Sequence, residues 1–550
     1  MKNKCSCAYM LLLCTFFANS LAVAQVSTQS AAEKSALRTV AEIQAGNQEP
    51  DVIYRAAFQF ALANKTEEAF KYLEMAIQRG YVNVEHIKSD PDLNSLHSDA
   101  RWQQMIAKAE AKRKEQEAFF WNKKEFWESP ALKTPFKENL SEDEKVAGLS
   151  KFWSEAKYNF VNFDLVPELD WDALYLSYLP RIKNTKSTLE YYMLLREMCA
   201  KLRDGHTNVY VPKELQDELS ARPLMRTRLI EDKVIVVGVY DDVLKQNGLE
   251  VGQEILEIDN VPVTQYAEQR IKPYISASTG QDLESRMYDA ALPGGAINKP
   301  LELTLRDVRG SVFKKSLQRI GWDERVKRFP QPDSFTFKIL PGNIAYVALN
   351  EFGSDRAAKE FEAAFNEIGK SKALIIDVRE NGGGSSGIGY RVLSMLTDKA
   401  FKTSSWYTRQ YRPTYRAWER PQNVYGSEAG EISPHGKNLY TKPVIVLTSP
   451  RTFSAAEDFA VAYLQMKRGL IMGEPTGGST GQPLFISLPG GGSARICTKR
   501  DRFADGREFV GVGVQPDKIV KQTVADFRKG RDTVLDAALK EIDETMKLSK

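Results

Sequence analysis

A chain of 550 residues exceeds what one ordinary core holds, so several modules are expected. With 42% hydrophobic and 27% charged residues it has the make-up of a soluble globular protein rather than a disordered or membrane one. The formal net charge of +4 is small for this length, and no basic stripe with interleaved aromatics marks a nucleic-acid surface, so no nucleic-acid partner is expected.

The first residues carry Lys2 and Lys4, then an apolar run from Ala8 to Phe17, then Leu21-Ala22-Val23-Ala24 before Gln25. This reads as a secretory signal over 1–24 with an A-x-A cleavage site, the run being short against the roughly 20 residues a membrane span needs. The expectation is an exported protein, periplasmic or secreted, with no stable membrane span after cleavage. Of five cysteines, Cys5, Cys7 and Cys14 lie in this leader; Cys199 and Cys497 have no disulfide-framework spacing and read as free buried thiols.

Apolar residues at three- and four-residue spacing, Ala56, Ala57, Phe60 and Ala61, then Ala69, Leu73, Ala76 and Ile77, predict a helical module over 34–115. Tyr54 to Gly80 resembles one tetratricopeptide unit, which implies a docking or spacer role and a possible protein partner; a lone unit cannot stack into a solenoid. Residues 116–215 continue helical, with Val146 to Tyr158 and Ser187 to Leu202 rich in aromatics read as core. From 222 to 320 the period shortens: Lys233 to Val237, Glu254 to Ile258 and Leu301 to Leu305 read as strands. The Gly252 to Asn260 segment resembles PDZ domains, which bind extended peptide ends by strand addition.

Between 335 and 525, apolar runs at Ile344 to Leu349, Ala373 to Val378, Val444 to Thr448 and Leu470 to Met472 alternate with helical segments. They are of the kind buried in a mostly parallel sheet, so the expected architecture is multidomain α/β: helical N-terminal modules, a small β-rich domain and an α/β core. A C-terminal surface helix is expected within 526–550.

Three stretches carry chemistry. Pro450 to Phe459 sets Ser454 between a strand end and a helix, where a hydroxyl can face a crevice and helix-start amides can meet an oxyanion. The same segment also reads as a plain N-cap, with Glu457 completing a capping box. Asp377 to Gly384 is a glycine loop at another strand end, without the Lys-Ser/Thr of a P-loop or the G-x-G-x-x-G spacing. Arg203-Asp204-Gly205-His206-Thr207 holds one of only four histidines.

In order, Asp204 to Thr207, the PDZ-like segment, Asp377 to Gly384, Thr452 to Glu457 and Gly511-Val512-Gly513-Val514-Gln515-Pro516-Asp517 resemble the S41 peptidases, the carboxyl-terminal processing and tricorn-type serine proteases. The resemblance implies a core of the ClpP/crotonase type and hydrolysis of a polypeptide substrate through an acyl-enzyme on Ser454. It implies an oxyanion hole from the Ala455 amide with that of Gly382 or Gly383, and no cofactor or metal. Ser479 stands where the processing branch carries its base lysine, so the tricorn-type reading applies and makes His206 the general base. Gly205 precedes His206 where that branch uses a serine to orient the ring. Asp505, Glu508 and Asp517 are the acidic candidates for orienting it, Glu508 first; Glu457 and Asp458 are candidates for shaping the substrate pocket. The competing reading is a catalytically degenerate S41-like binding or scaffold protein of the cell envelope.

Overall fold

The computed structural model describes residues 30–435 and 439–548; the expected leader over 1–24 lies outside them. The chain divides into two compact units, one ending at Ser129 and the other starting at Pro130.

The first unit is helical. Ala31–Gln44, capped by Ser30 through the Glu33 amide, packs on Pro50–Leu62, which packs on Thr66–Arg79. Phe60, Ala57 and Ile53 meet Ala69, Leu73 and Ile77 in one buried cluster, because residues three and four apart share a helix face. Gly80, at φ +110°, ends the third helix. Trp102–Glu117 closes the cluster with Trp102, Met105 and Ile106.

The second unit begins with the helices Glu142–Asn159, Trp171–Lys183 and Thr188–Ala200. Their aromatics Phe152, Tyr191 and Tyr192 are buried together with Ile486, Ala494 and Cys497 from late in the chain. That shared core holds the strand Asn208–Tyr210 antiparallel to Ser493–Cys497, with Val209 opposite Ala494. The stretch expected to be helical up to 215 therefore contains a short strand, after which helical turns resume at Lys213–Leu215. Cys199 and Cys497 are both free and buried.

Residues 225–317 form an antiparallel sheet in the order Met225–Ile230, Lys233–Val239, Glu254–Ile258, Leu301–Arg306, Val312–Leu317. Between Val263 and Ala291 this region is helical rather than β, and that insertion reaches the site described below.

The core sheet runs Lys518–Ile519, Leu470–Gly473, Val444–Thr448, Ala373–Asp377, Ile344–Leu349, Phe335–Leu340, parallel except for the last pair. All residues of Ala373–Asp377 and Val444–Thr448 are buried, which is why these strands read as unbroken apolar runs: helices cover both faces. Ala455–Met466 and Arg356–Lys370 cover one face. Thr533–Leu548, the C-terminal helix, buries Val534, Ala538 and Ile542 against the other. Among the described residues no helix is long and apolar enough to cross a membrane.

Candidate active site

Three neighbouring parallel strands end on the same side of the sheet. Ala373–Asp377 leads into Gly382-Gly383-Gly384, Val444–Thr448 into Ser454, and Leu470–Gly473 into Thr476 to Ser479. A crevice beyond the carboxyl ends of such strands is where an α/β sheet gathers loops.

Ser454 starts the helix Ala455–Met466 at φ 59°, ψ −126°, a conformation that costs a non-glycine residue roughly 1–3 kcal/mol. Its surroundings over-determine it: its amide donates to Glu457 Oε2 at 3.1 Å and to the Ser479 carbonyl at 3.2 Å, and the Phe453 amide donates to the Asn381 carbonyl at 3.0 Å. Glu457 thus does reach back to the helix start, as a capping residue would. It also accepts from Thr476 Oγ1 at 2.6 Å, the Gly478 amide at 2.7 Å and the Ser479 amide at 2.9 Å, so one buried carboxylate ties the Ser454 turn to the 476–479 loop. Burial pushes Glu457 up to about 7, against the pull of those donors.

His206 arrives from the far end of the sequence. Nε2 lies 3.2 Å from Ser454 Oγ, and Nδ1 lies 2.8 Å from Ser479 Oγ. Asp204 braces the loop, accepting from the His206 amide, Thr207 Oγ1 and Asn162 Nδ2, each at 2.9 Å. Ser276 and Ser278 of the inserted helical region hold the same loop, Ser276 Oγ donating to the Asp204 carbonyl and Ser278 Oγ accepting from the Gly205 amide. Burial, then the charges of Arg495, Arg286 and Lys499, push the His206 imidazole down to about 3, so the ring is neutral at neutral pH.

Both ring nitrogens are thereby engaged, and none of the three acidic residues expected to orient the ring is a partner. Glu508 accepts from Arg500 Nε at 3.1 Å, Asp505 pairs with Arg507 at 2.8 Å, and Asp517 accepts from the Ile471 amide at 2.8 Å. The position that sequence reasoning noted only for its missing lysine, Ser479, is the one that meets Nδ1. Asp458, next to Glu457, accepts from Ser386 Oγ at 2.6 Å and Ser404 Oγ at 2.7 Å. Burial and nearby Asp501 hold it above the usual carboxylate range.

The glycine loop abuts the serine. At Gly383, φ +97°, an added Cβ would stand 2.7 Å from Ser454 Cβ and 2.9 Å from the Ala455 nitrogen. Of the three expected oxyanion donors, the Gly383 amide is committed to Asn381 Oδ1 at 2.9 Å. The Ala455 and Gly382 amides donate to no acceptor among the described residues. The arrangement can therefore deprotonate a hydroxyl through a neutral imidazole beside two uncommitted backbone donors.

Residues 343–520 match the model of peptidase family S41. The family likeness spans this region of the chain. It is 23% identical over 266 residues to a carboxy-terminal-processing protease of Bartonella bacilliformis, a match covering 46% of this chain and 57% of the relative. It is 29% identical over 176 residues to the chloroplastic C-terminal processing peptidase of Tetradesmus obliquus, covering 32% and 34%. The chain thus spans about half the length of these relatives or less. Among solved structures, mature CPAF shares the fold at 17% identity, with a TM-score of 0.58 over 70% of this chain and 94% of that one. The S41 match includes Gly382, Gly383, Ser454, Glu457 and Ser479 but does not reach His206, which stands in the turn between the helix Thr188–Ala200 and the strand Asn208–Tyr210.

Proposed function

We propose that this protein is an exported serine peptidase that hydrolyses a polypeptide through an acyl-enzyme on Ser454. The observation that carries the reading is the pair of contacts at one ring, Ser454 Oγ at 3.2 Å from Nε2 and Ser479 Oγ at 2.8 Å from Nδ1. With its proton on Nδ1, His206 donates to Ser479 Oγ, which leaves the Nε2 lone pair to take the Ser454 proton as the hydroxyl attacks the scissile carbonyl. The developing oxyanion is met by the Ala455 and Gly382 amides. The protonated ring then returns its proton to the leaving amine, and water repeats the sequence to release the acid. Glu457 acts at one remove, holding the Ser454 and Ser479 amides together. Ser479 takes the orienting role expected of Glu508, whose carboxylate serves Arg500.

The antiparallel sheet of 225–317 is read as a PDZ-like module that receives an extended polypeptide, and the first helical unit as a tetratricopeptide-like docking module. Export rests on the leader-like pattern of 1–24 and is checked by sequencing the N-terminus of protein recovered from the envelope and medium. The hydrolase reading is tested with a fluorophosphonate probe. Labelling and peptide cleavage are expected in the wild type and absent from Ser454→Ala, while His206→Ala abolishes cleavage. Labelling that persists in Ser454→Ala places the nucleophile elsewhere.

A further inference from the structure

Two cavities adjoin the site next to the helical insertion between Val263 and Ala291. One, of 420 Å³, is bordered by Gly382 and by Phe453, the residue before Ser454; the other, of 470 Å³, is bordered by the strand Asn208–Tyr210 that follows His206. They are neighbours, sharing Arg286 and Ala290. Their walls carry seven arginines and only two acidic residues, Asp282 and Asp289, although the whole chain has a formal charge of just +4.

Three of these arginines are paired, Arg286 with Asp282 at 2.7 Å, Arg451 with Asp289 at 2.6 Å and Arg226 with Glu380 at 3.3 Å. The other four, Arg196, Arg222, Arg325 and Arg495, have no carboxylate within ion-pair reach among the described residues. The Arg196 side chain donates to Met193 Sδ at 3.9 Å, that of Arg222 to the Ala290 carbonyl, and that of Arg495 to Asn208 Oδ1 at 2.8 Å and the Gly205 carbonyl at 3.2 Å. Arg325, 7% exposed, has its guanidinium 4.4 Å from the centroid of the Trp322 ring. The charges crowd one another: burial, then the charges of Arg325 and Arg226, push the Arg222 guanidinium down to about 10.

A guanidinium drawn out of water without a counter-ion is costly, and four of them around adjoining cavities raise the potential throughout both. Low-dielectric walls concentrate that field whichever way each guanidinium is turned. What offsets it is an anion, and the anion that a polypeptide brings is a carboxylate, which arginine holds with paired N–H donors. A lysine-rich segment would be repelled, and an apolar one would leave all four cations unpaired.

We infer that these two cavities receive the part of the substrate next to the scissile bond and select polypeptides that carry carboxylates there, from acidic side chains or from the chain's own C-terminus. The inference deepens the peptidase reading above and rests on it for placing the scissile bond beside Gly382 and Ser454.

The test uses full-length Ser454→Ala protein and acetylated heptapeptides in which alanine alternates with glutamate, glutamine or lysine, all with amidated ends, plus the glutamine peptide with a free carboxyl end. Titration calorimetry in low-salt buffer is expected to show the glutamate peptide binding about tenfold more tightly than its glutamine counterpart, which has the same shape without the charge, and the lysine peptide weakest. A gain for the free-ended glutamine peptide over its amide gives the terminal carboxylate a share in the selection, and no gain assigns it to side chains. Arg222→Met and Arg325→Met each remove an unpaired cation while keeping an apolar stem, and each should shrink the carboxylate preference to less than about threefold. Since neither breaks an ion pair, both should be at least as stable as the parent protein in urea; should either fail to fold, Arg196→Met takes its place. If neither carboxylate peptide outbinds the amidated glutamine peptide, or if the variants keep the full preference, the inference is overturned. Binding is read without turnover, so its failure is distinct from failure of the hydrolase reading, which fluorophosphonate labelling of the wild type reports.

Discussion

The imidazole of His206 lies flat against the ring of Phe453, centroids 4.7 Å apart and planes 15° apart, so the residue immediately before Ser454 fixes the ring that faces it. The Arg286 guanidinium sits over the same Phe453 ring at 5.0 Å, completing a stack that leaves the imidazole little freedom. Phe453→Ala removes that restraint without touching a reacting atom. Because alignment of nucleophile and base enters the chemical step, kcat should fall about 10- to 100-fold with KM within about threefold in steady-state peptide hydrolysis. A change confined to KM would mean that Phe453 serves substrate binding instead.

Ser479 and Glu508 make opposite forecasts. Ser479 Oγ is the group at His206 Nδ1, whereas the Glu508 carboxylate is engaged by Arg500, itself also paired with Asp164 at 2.7 Å. Ser479→Ala should lower kcat about 10- to 100-fold by releasing the ring tautomer and orientation. Glu508→Gln removes a partly exposed ion pair worth about 1 kcal/mol or less and should leave kcat within about twofold. The reverse ranking in side-by-side kinetics would return the orienting role to Glu508.

Much of the fold can be read from sequence because burial on both faces leaves a plain mark: the five residues of Val444–Thr448 are apolar apart from the last, and a helix-start pattern follows within seven residues. Local pattern also singles out Ser454, His206 and the glycine loop, since each breaks a strand or helix with residue types that chemistry uses. What it cannot reach is pairing over distance. Ser479 and His206 are 273 positions apart, and they meet only because Asn208–Tyr210 pairs with Ser493–Cys497 in a register no local spacing encodes. Glu508 looked apt beside the Gly511 to Asp517 motif, but its bridge to Arg502 turns it toward Arg500. The inserted helical segment that braces Asp204 shows no strong period, so its role is visible only in three dimensions.

The glycine loop offers a matched pair of substitutions. An alanine Cβ at Gly383 would come within 2.7 Å of both Ser454 Cβ and the Phe453 carbonyl, and φ +97° is itself unfavourable for a side chain. At Gly382 the same Cβ would meet nothing within 4 Å. Gly383→Ala should therefore cost about 1–3 kcal/mol in urea unfolding and reduce kcat/KM about 100-fold or more, since the residues it pushes are Ser454 and Ala455, the proposed nucleophile and oxyanion donor. Gly382→Ala keeps its backbone N–H and should stay within about threefold of wild-type kcat/KM. Equal losses in the two variants would mean that crowding at Ser454 is not what the loop avoids.

The depressed pKa of His206 fixes the sign of two pH effects. The ring titrates at about 3 in the folded protein against 6.5 when unfolded, so below 6.5 the unfolded chain binds a proton the folded chain does not. The stability this group contributes is fully present above 6.5 and is lost as the pH falls toward 3. Relative to His206→Gln, the wild type should lose about 1.5 kcal/mol between pH 6.5 and 5, read from urea midpoints at each pH. In catalysis the same shift keeps the base unprotonated through mildly acidic conditions, so His206 imposes no acid limb on kcat/KM near 6.5. Any limb near 7 belongs to Glu457, which burial raises to about 7, and it should disappear in Glu457→Gln while the residual rate persists to lower pH. A limb at 6.5 that survives Glu457→Gln would show that His206 titrates as an exposed histidine and that the buried, neutral ring is not the working base.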